Sequence, residues 1–321
     1  MRAVVLAQGE YQLTECATPS PKPQEVLIKV AYAGVNRADL FQKQGRYPLP
    51  ENNPPVPGME VSGEIIECGA EVAGWKKGDK VCALLSEGGF AEYVCAPSSL
   101  VLPVPETVRL EQAAALPEGC FTVWISFVWQ AGLKKDETVL IHGGTSGIGS
   151  LAIQIAKMLG ARVFTTAGTD IKCVLCEKLG VDRAINYHKE DYVAVVKEAT
   201  QGKGVNVILD MVGGSYFMRN LDALAMDGRL CIIAFLEGSK IEASLSPILL
   251  KRLSVMGSTL RSRPLEQKAR IAKEVQNNVW SAVAQGAVKP VIDRIFPLEE
   301  AQKALSRMEQ GLNIGKILLK L

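Results

Sequence analysis

The run Val139-Leu140-Ile141-His142-Gly143-Gly144-Thr145-Ser146-Gly147-Ile148-Gly149 decides the fold. It begins apolar and strand-like, breaks into a glycine-dense turn, and passes at once into a helical pattern from Leu151 to Gly160. Glycines at 144, 147 and 149 let the backbone turn tightly and approach two phosphates. A helix starting near Ile148 then points its N–H groups and positive dipole end at them. The expectation is a dinucleotide pyrophosphate cradle built by Gly144, Gly147, Ile148 and Gly149. An ordinary glycine-rich loop would lack the flanking strand and helix.

Working outward, 321 residues suffice for two domains with real cores. Lysine and arginine number 36 against 34 acidic residues, a net charge of +2, with no basic tract interleaved with aromatics, so nucleic acid is not an expected partner. The opening Met1-Arg2-Ala3-Val4-Val5-Leu6 lacks the long apolar segment of a signal peptide. No run approaches the roughly 20 apolar residues of a membrane span, and a cytoplasmic setting is expected. Six of the eight cysteines are scattered singly, and the Cys173-x-x-Cys176 pair lies in a helical pattern with no second pair to complete a zinc site. Only His142 and His188 exist, so a three-histidine metal site is arithmetically impossible.

Two interleaved domains are predicted. Residues 1–120 show short strands, among them Glu25 to Val30, Val61 to Glu67 and Lys80 to Leu84, between Gly and Pro turns, the pattern of a β-rich barrel. Residues 121–265 alternate strand and helix. The strands are Thr138 to Ile141, Arg162 to Thr166, Ala184 to Ile185, Val205 to Met211, Arg229 to Phe235 and Ser254 to Ser258, and they imply a doubly wound parallel α/β sheet of Rossmann type. Residues 266–321 return to helix (Leu298 to Gln310) and strand (Ile314 to Leu319), and are expected to rejoin the first domain.

Five motifs, spread over the whole chain and in a fixed order, carry a family likeness: Gly34-Val35-Asn36-Arg37-Ala38-Asp39, Gly58-Met59-Glu60-Val61-Ser62-Gly63, the glycine loop with Gln154 and Lys157 behind it, Ser258-Thr259-Leu260-Arg261-Ser262-Arg263, and Asn313-Ile314-Gly315-Lys316-Ile317. The chain resembles the zinc-free, zeta-crystallin-like quinone oxidoreductases of the medium-chain dehydrogenase/reductase superfamily. Gln42-x-Gln44-Gly45-x-Tyr47 and Asn186-Tyr187-x-Lys189-Glu190-Asp191 add a likeness to its tumour-suppressor-inducible branch. The resemblance implies a GroES-like catalytic domain beside the Rossmann domain, and a homodimer. The strand near Ser254 to Leu260 is the edge expected to pair across a two-fold.

Against the zinc alcohol dehydrogenases of that superfamily, the chain places Asn36 where they carry a zinc-binding cysteine and Met59 where they carry histidine. An amide and a thioether do not replace thiolate and imidazole on zinc. Without a Lewis acid, simple alcohol oxidation is disfavoured, and an easily reduced quinone or conjugated enone is the expected acceptor. At the end of the second Rossmann strand, Thr166-Ala167-Gly168-Thr169, Asp170 is read as a helix-capping partner of Thr169. Lys172 with Tyr187, as the resemblance implies, would meet a 2′-phosphate, which favours NADPH over NADH.

The remaining site residues follow from the same reading. Tyr47, in a turn-rich surface loop, is the expected lid and hydrogen-bond donor to the acceptor. Asn36 faces either acceptor or nicotinamide ribose, and Ser146 donates to phosphate or nicotinamide. Thr122, at the start of the helix entering the Rossmann domain, is either a nicotinamide neighbour or a helix cap. Gly168, Arg261 and Asn313 complete the expected cofactor contacts, with Arg263 as a further cation. Two other functions fit the same residues. One is reduction of 2-enoyl thioesters; the other is an NADPH-binding crystallin-like or RNA-associated protein with little turnover.

Overall fold

A computed structural model describes residues 1–7, 9–46 and 56–321. The chain divides into two compact units, one formed by Met1–Gly119 with Arg263–Leu321 and the other by Cys120–Ser262.

The first unit opens with the hairpin β1 (Arg2–Ala7) and β2 (Glu10–Glu15). β3 (Glu25–Val35), α1 (Arg37–Lys43), β4 (Glu60–Cys68), β5 (Lys80–Leu84), β6 (Tyr93–Pro97), β7 (Val101–Pro103) and the short α2 (Leu110–Ala113) follow, and α3 (Pro117–Trp124) carries the chain across the division into the second unit. The apolar residues of β3, Val26, Ile28 and Val30, alternate into a core that also takes Val61, Ile65, Val81 and Ala83. β3 runs five residues beyond its expected end and pairs with β4 through two register shifts, so the long strand bends.

The second unit holds β8 (Thr138–Ile141), α4 (Gly147–Met158), β9 (Arg162–Ala167), α5 (Asp170–Lys178), β10 (Arg183–Asn186), α6 (Tyr192–Ala199), β11 (Val205–Asp210), α7 (Tyr216–Ala223), β12 (Leu224–Ile232), α8 (Ser246–Lys251) and β13 (Ser254–Gly257). All six strands pair in parallel in the order β10-β9-β8-β11-β12-β13. That is the doubly wound order, with its switch point between β8 and β11. Val139, Leu140 and Ile141 have no exposed surface, as befits a strand covered on both faces. β12 starts five residues before Arg229 because Asp227, at φ 58°, and Gly228 bend its first part, shifting the register against β11.

The chain then completes the first unit with α9 (Leu265–Asn278), α10 (Trp280–Ala284), β14 (Ile292–Pro297), α11 (Ala301–Glu309) and β15 (Lys316–Lys320). β15 lies between β14 and β3, giving the sheet order β14-β15-β3-β4-β5-β7, with β6 also paired to the first half of β3. Ile317 and Leu319 join the core that the early strands began. Among the described residues no helix is long and apolar enough to cross a membrane.

Candidate functional site

In the second unit the glycine loop joins β8 to α4 at the switch point. Ser146 caps α4, its Oγ accepting from Gly149 N–H at 2.9 Å and donating to Met211 Sδ at 3.6 Å. A side chain at Gly149 would collide with the Gly143 carbonyl, and one at Gly144 with the Thr165 hydroxyl. The loop therefore presses backbone to backbone, leaving the start of a 12-residue helix open to an anion. That geometry fits a dinucleotide pyrophosphate. Gly144, Ser146, Gly147, Ile148 and Gly149 thus lie in one turn, Gly144 and Gly149 buried and the other three half-buried, with the Ser146 hydroxyl already spent on the cap.

Beneath this loop lies a buried polar network centred on His142, which the sequence reading used only to count metal ligands. Thr166 Oγ accepts from Gly143 N–H at 3.3 Å and lies 3.0 Å from His142 Nδ1; His142 Nε2 lies 2.8 Å from Asn220 Oδ1. Asn220 Nδ2 donates to Asp210 Oδ2 at 3.1 Å, and Tyr192 OH donates to Asn220 Oδ1 at 2.9 Å. Asp210 Oδ1 accepts from Val212 and Gly213 N–H. Each of these contacts pairs one donor with one acceptor when the imidazole is neutral and carries its proton on Nε2. Burial pushes the His142 pKa below its ordinary value, against the opposing pull of Asp210. The network ties the ends of β8, β9 and β11 together directly under the cradle. The signal in the sequence was a histidine wedged between an apolar strand and its glycine turn.

Gly168, Lys172 and Tyr187 gather at the ends of β9 and β10. The Tyr187 phenol lies over Gly168, where a Cβ would come within 2.7 Å of its OH. Thr169 caps α5 by accepting from Lys172 N–H at 3.2 Å. Asp170 does not share that capping, contrary to the sequence reading; its carboxylate turns sideways to Asn186 and Lys189. Thr122 is the sixth residue of α3, whose first position is Pro117, so it is neither at the helix start nor a cap. Arg261 is half-buried in the segment after β13.

The first unit holds a second buried polar cluster. Asn36 precedes α1, and its amide oxygen accepts from Lys316 Nζ at 2.6 Å while its Nδ2 donates to Glu60 Oε1 at 3.0 Å. Lys316 and Glu60 form an ion pair with side-chain exposures of 3% and 0%. Glu60 Oε2 accepts from Glu118 N–H at 3.0 Å. Asp39 Oδ2 accepts from Asn36 N–H at 2.7 Å and Oδ1 from Gly58 N–H at 3.2 Å. Burial raises the Asp39 pKa to about 7 despite those donors. Burial alone would lower the Lys316 pKa, but Glu60, Glu118 and Asp39 outweigh it and hold the ammonium above its usual value.

Two glycines make room for this pair. A side chain at Gly34 would run into the Glu60 carboxylate; Gly315, at φ 89°, has the Val291 carbonyl where its Cβ would be. Asn313 Nδ2 donates to the Gly315 carbonyl at 2.9 Å and so shapes the same turn. Glu60 and Lys316 were inside the quoted motifs without being singled out, because nothing local distinguishes a buried lysine from a surface one. Met59 is buried beside Glu60. Tyr47 lies outside the described residues. The two units thus carry Asn36 and Asn313 on one side of the division, and Ser146, Gly168, Lys172, Tyr187 and Arg261 on the other.

Residues 22–106 match the alcohol dehydrogenase GroES-like domain family, and residues 147–277 match the zinc-binding dehydrogenase family. Quinone oxidoreductase-like protein 2 of Bos taurus is 33% identical over 323 residues, covering 100% of this chain and 92% of its own length. Escherichia coli quinone oxidoreductase complexed with NADPH superposes with a TM-score of 0.89 at 29% identity, covering 100% of this chain and 99% of its own. An NAD-dependent alcohol dehydrogenase superposes with a TM-score of 0.88 at 31% identity over the full length of both chains. The GroES-like and Rossmann units, in this order and with relatives matched from end to end, place the chain in the medium-chain dehydrogenase/reductase superfamily, to whose quinone oxidoreductase-like members it belongs.

Proposed function

We propose that this chain is an NADPH-dependent oxidoreductase that transfers hydride to quinones or related conjugated carbonyls without zinc. The observation that carries this reading is the Asn36 amide bound between Lys316 and Glu60. At the position where zinc dehydrogenases of the superfamily place a cysteine, this chain has a group with no lone-pair chemistry suited to zinc, already engaged by a buried ammonium. The glycine cradle supports the cofactor half of the proposal.

NADPH, when bound, supplies the hydride, and positioning it is the main task left to the protein. In this reading Gly144, Gly147, Ile148 and Gly149 hold the pyrophosphate. Ser146 stiffens the start of α4 through its cap. Gly168, Lys172 and Tyr187 line the adenosine end, with Thr122, Arg261 and Asn313 as further proposed contacts. Tyr47 is the proposed lid and donor to the acceptor oxygen, and Asn36 is held in a single amide orientation. Hydride transfer leaves a hydroquinone anion, which takes its one proton from water, so no dedicated general acid is required.

A small-molecule acceptor, a cytoplasmic setting and a homodimer belong to the same proposal. The dimer is supported by β13, the edge strand of the parallel sheet, and by neighbouring α8, whose Leu249 and Leu250 are 79% and 72% exposed. Light scattering at working concentration tests it, a monomer counting against it. The test of function is NADPH consumption by chelator-treated protein with 9,10-phenanthrenequinone and with a short-chain 2-enoyl thioester. Quinone turnover that survives chelation is expected. Preference for the thioester would move the assignment to enoyl reduction, and NADPH binding without turnover of either would overturn the enzymatic reading.

A further inference from the structure

In a dinucleotide fold the adenosine ribose binds at the end of the second strand, where an acid accepts the 2′-hydroxyl of NAD and repels a 2′-phosphate. β9 ends at Ala167, and the acid that follows is Asp170. Left alone, this carboxylate would oppose NADPH, yet its charge and both of its oxygens are engaged. Oδ1 accepts from Asn186 Nδ2 at 2.6 Å and Oδ2 accepts from Lys189 Nζ at 2.5 Å. The bonds to Lys189 and then Asn186 hold the Asp170 carboxyl below its ordinary pKa, and Asp170 in turn raises that of Lys189.

The partners are themselves fixed. Asn186 is the last residue of β10, paired in register with Ala167, and its Oδ1 accepts from His188 N–H at 3.2 Å. Tyr187 N–H donates to the Ala167 carbonyl at 3.1 Å. The turn Asn186-Tyr187-His188-Lys189 therefore places the Tyr187 phenol over Gly168 and the Lys189 ammonium on Asp170 in one stroke. Both charged side chains of the pair are about two-thirds exposed, at 64% and 66%, so it adds little to folding stability. Its effect falls instead on the potential met by a charged ligand.

We propose that Lys189, supported by Asn186, is a specificity residue: it neutralises Asp170 and draws it toward β10, converting an acid that would select NADH into an ion pair that admits the 2′-phosphate of NADPH. This rests on the NADPH reading above and extends it to a residue that need not touch the cofactor.

Calorimetric titration of NADPH and NADH into wild type, Lys189→Ala, Asp170→Asn and the double variant tests it. Lys189→Ala should weaken NADPH binding about five- to tenfold and NADH binding less than about twofold, because the freed carboxylate acts on the phosphate charge alone. The double variant should return NADPH to within about twofold of wild type, since no carboxylate remains to repel it. Thermal midpoints should stay unchanged throughout. Equal weakening of both cofactors, no weakening, or a double variant as weak as Lys189→Ala would overturn the proposal. Wild type that binds NADH as well as NADPH would instead overturn the NADPH reading on which it rests.

Discussion

Replacing Lys316 by methionine should be the most damaging conservative-volume change in the first unit. The ammonium sits among Glu60, Asn36 and Asp39 with 3% of its side chain exposed, and Glu60 has none. Methionine fills the space of the aliphatic stem but, among the described residues, leaves the Glu60 carboxylate the Asn36 amide and the Glu118 N–H as donors. Removing one member of a buried ion pair costs about 3–5 kcal/mol, because the other charge stays desolvated and uncompensated. For a unit of this size each kcal/mol moves the midpoint by about 2–4 °C, so a fall of about 6–20 °C is expected. Scanning calorimetry reads it as a shift of the first unit's transition. The double variant Lys316→Met, Glu60→Gln removes both charges and should recover at least half of the loss. A single-variant shift under about 2 °C, or a double variant lower than the single, would refute the claim that an unpaired carboxylate is the source of the damage.

The two units should respond to acid in opposite senses. Asp39 has its pKa raised to about 7 by burial, so its contribution is fully present below its unfolded value and is lost as pH rises through about 7. His142 has its pKa lowered, so its contribution is present above the unfolded value and is lost as pH falls below about 6.5. Calorimetry between pH 5 and pH 8 should show each trend, flattened by Asp39→Asn in the first unit and by His142→Asn in the second; parallel trends in both units would count against the assignment. Gly149→Ala drives a methyl group into the Gly143 carbonyl and should cost about 1–3 kcal/mol while abolishing NADPH binding in a titration. Ser146→Ala removes the α4 cap and should cost about 0.5–2 kcal/mol in urea unfolding, with NADPH binding weakened rather than lost.

What the sequence revealed and what it hid divide by distance along the chain. The glycine loop, α4 and the parallel strands are local patterns, and apart from β12 each appears close to where period and turn chemistry place it. The early start of β12 was hidden because Asp227 adopts a left-handed backbone that only the register against β11 demands. Asp170 looked like a cap because its partner Lys189 lies 19 residues on and across a strand. The cluster around Asn36 joins residues up to 280 positions apart, and no spacing rule connects them. Burial gives a lysine its meaning, and burial of a polar residue is a property of the assembled sheet.

The placement of β15 between β14 and β3 has a consequence for how the molecule comes into being. The first unit's sheet is missing an inner strand, and Glu60 its cation, until a segment beyond the whole of residues 120–262 has been made. The second unit is continuous in sequence and pairs its strands only with one another, so on the ribosome it becomes foldable first. The early strands β3 and β4 must wait, with an open edge and a buried-to-be carboxylate still in water. Lys316 opens β15, and its ion pair with Glu60 forms only once that strand has been made.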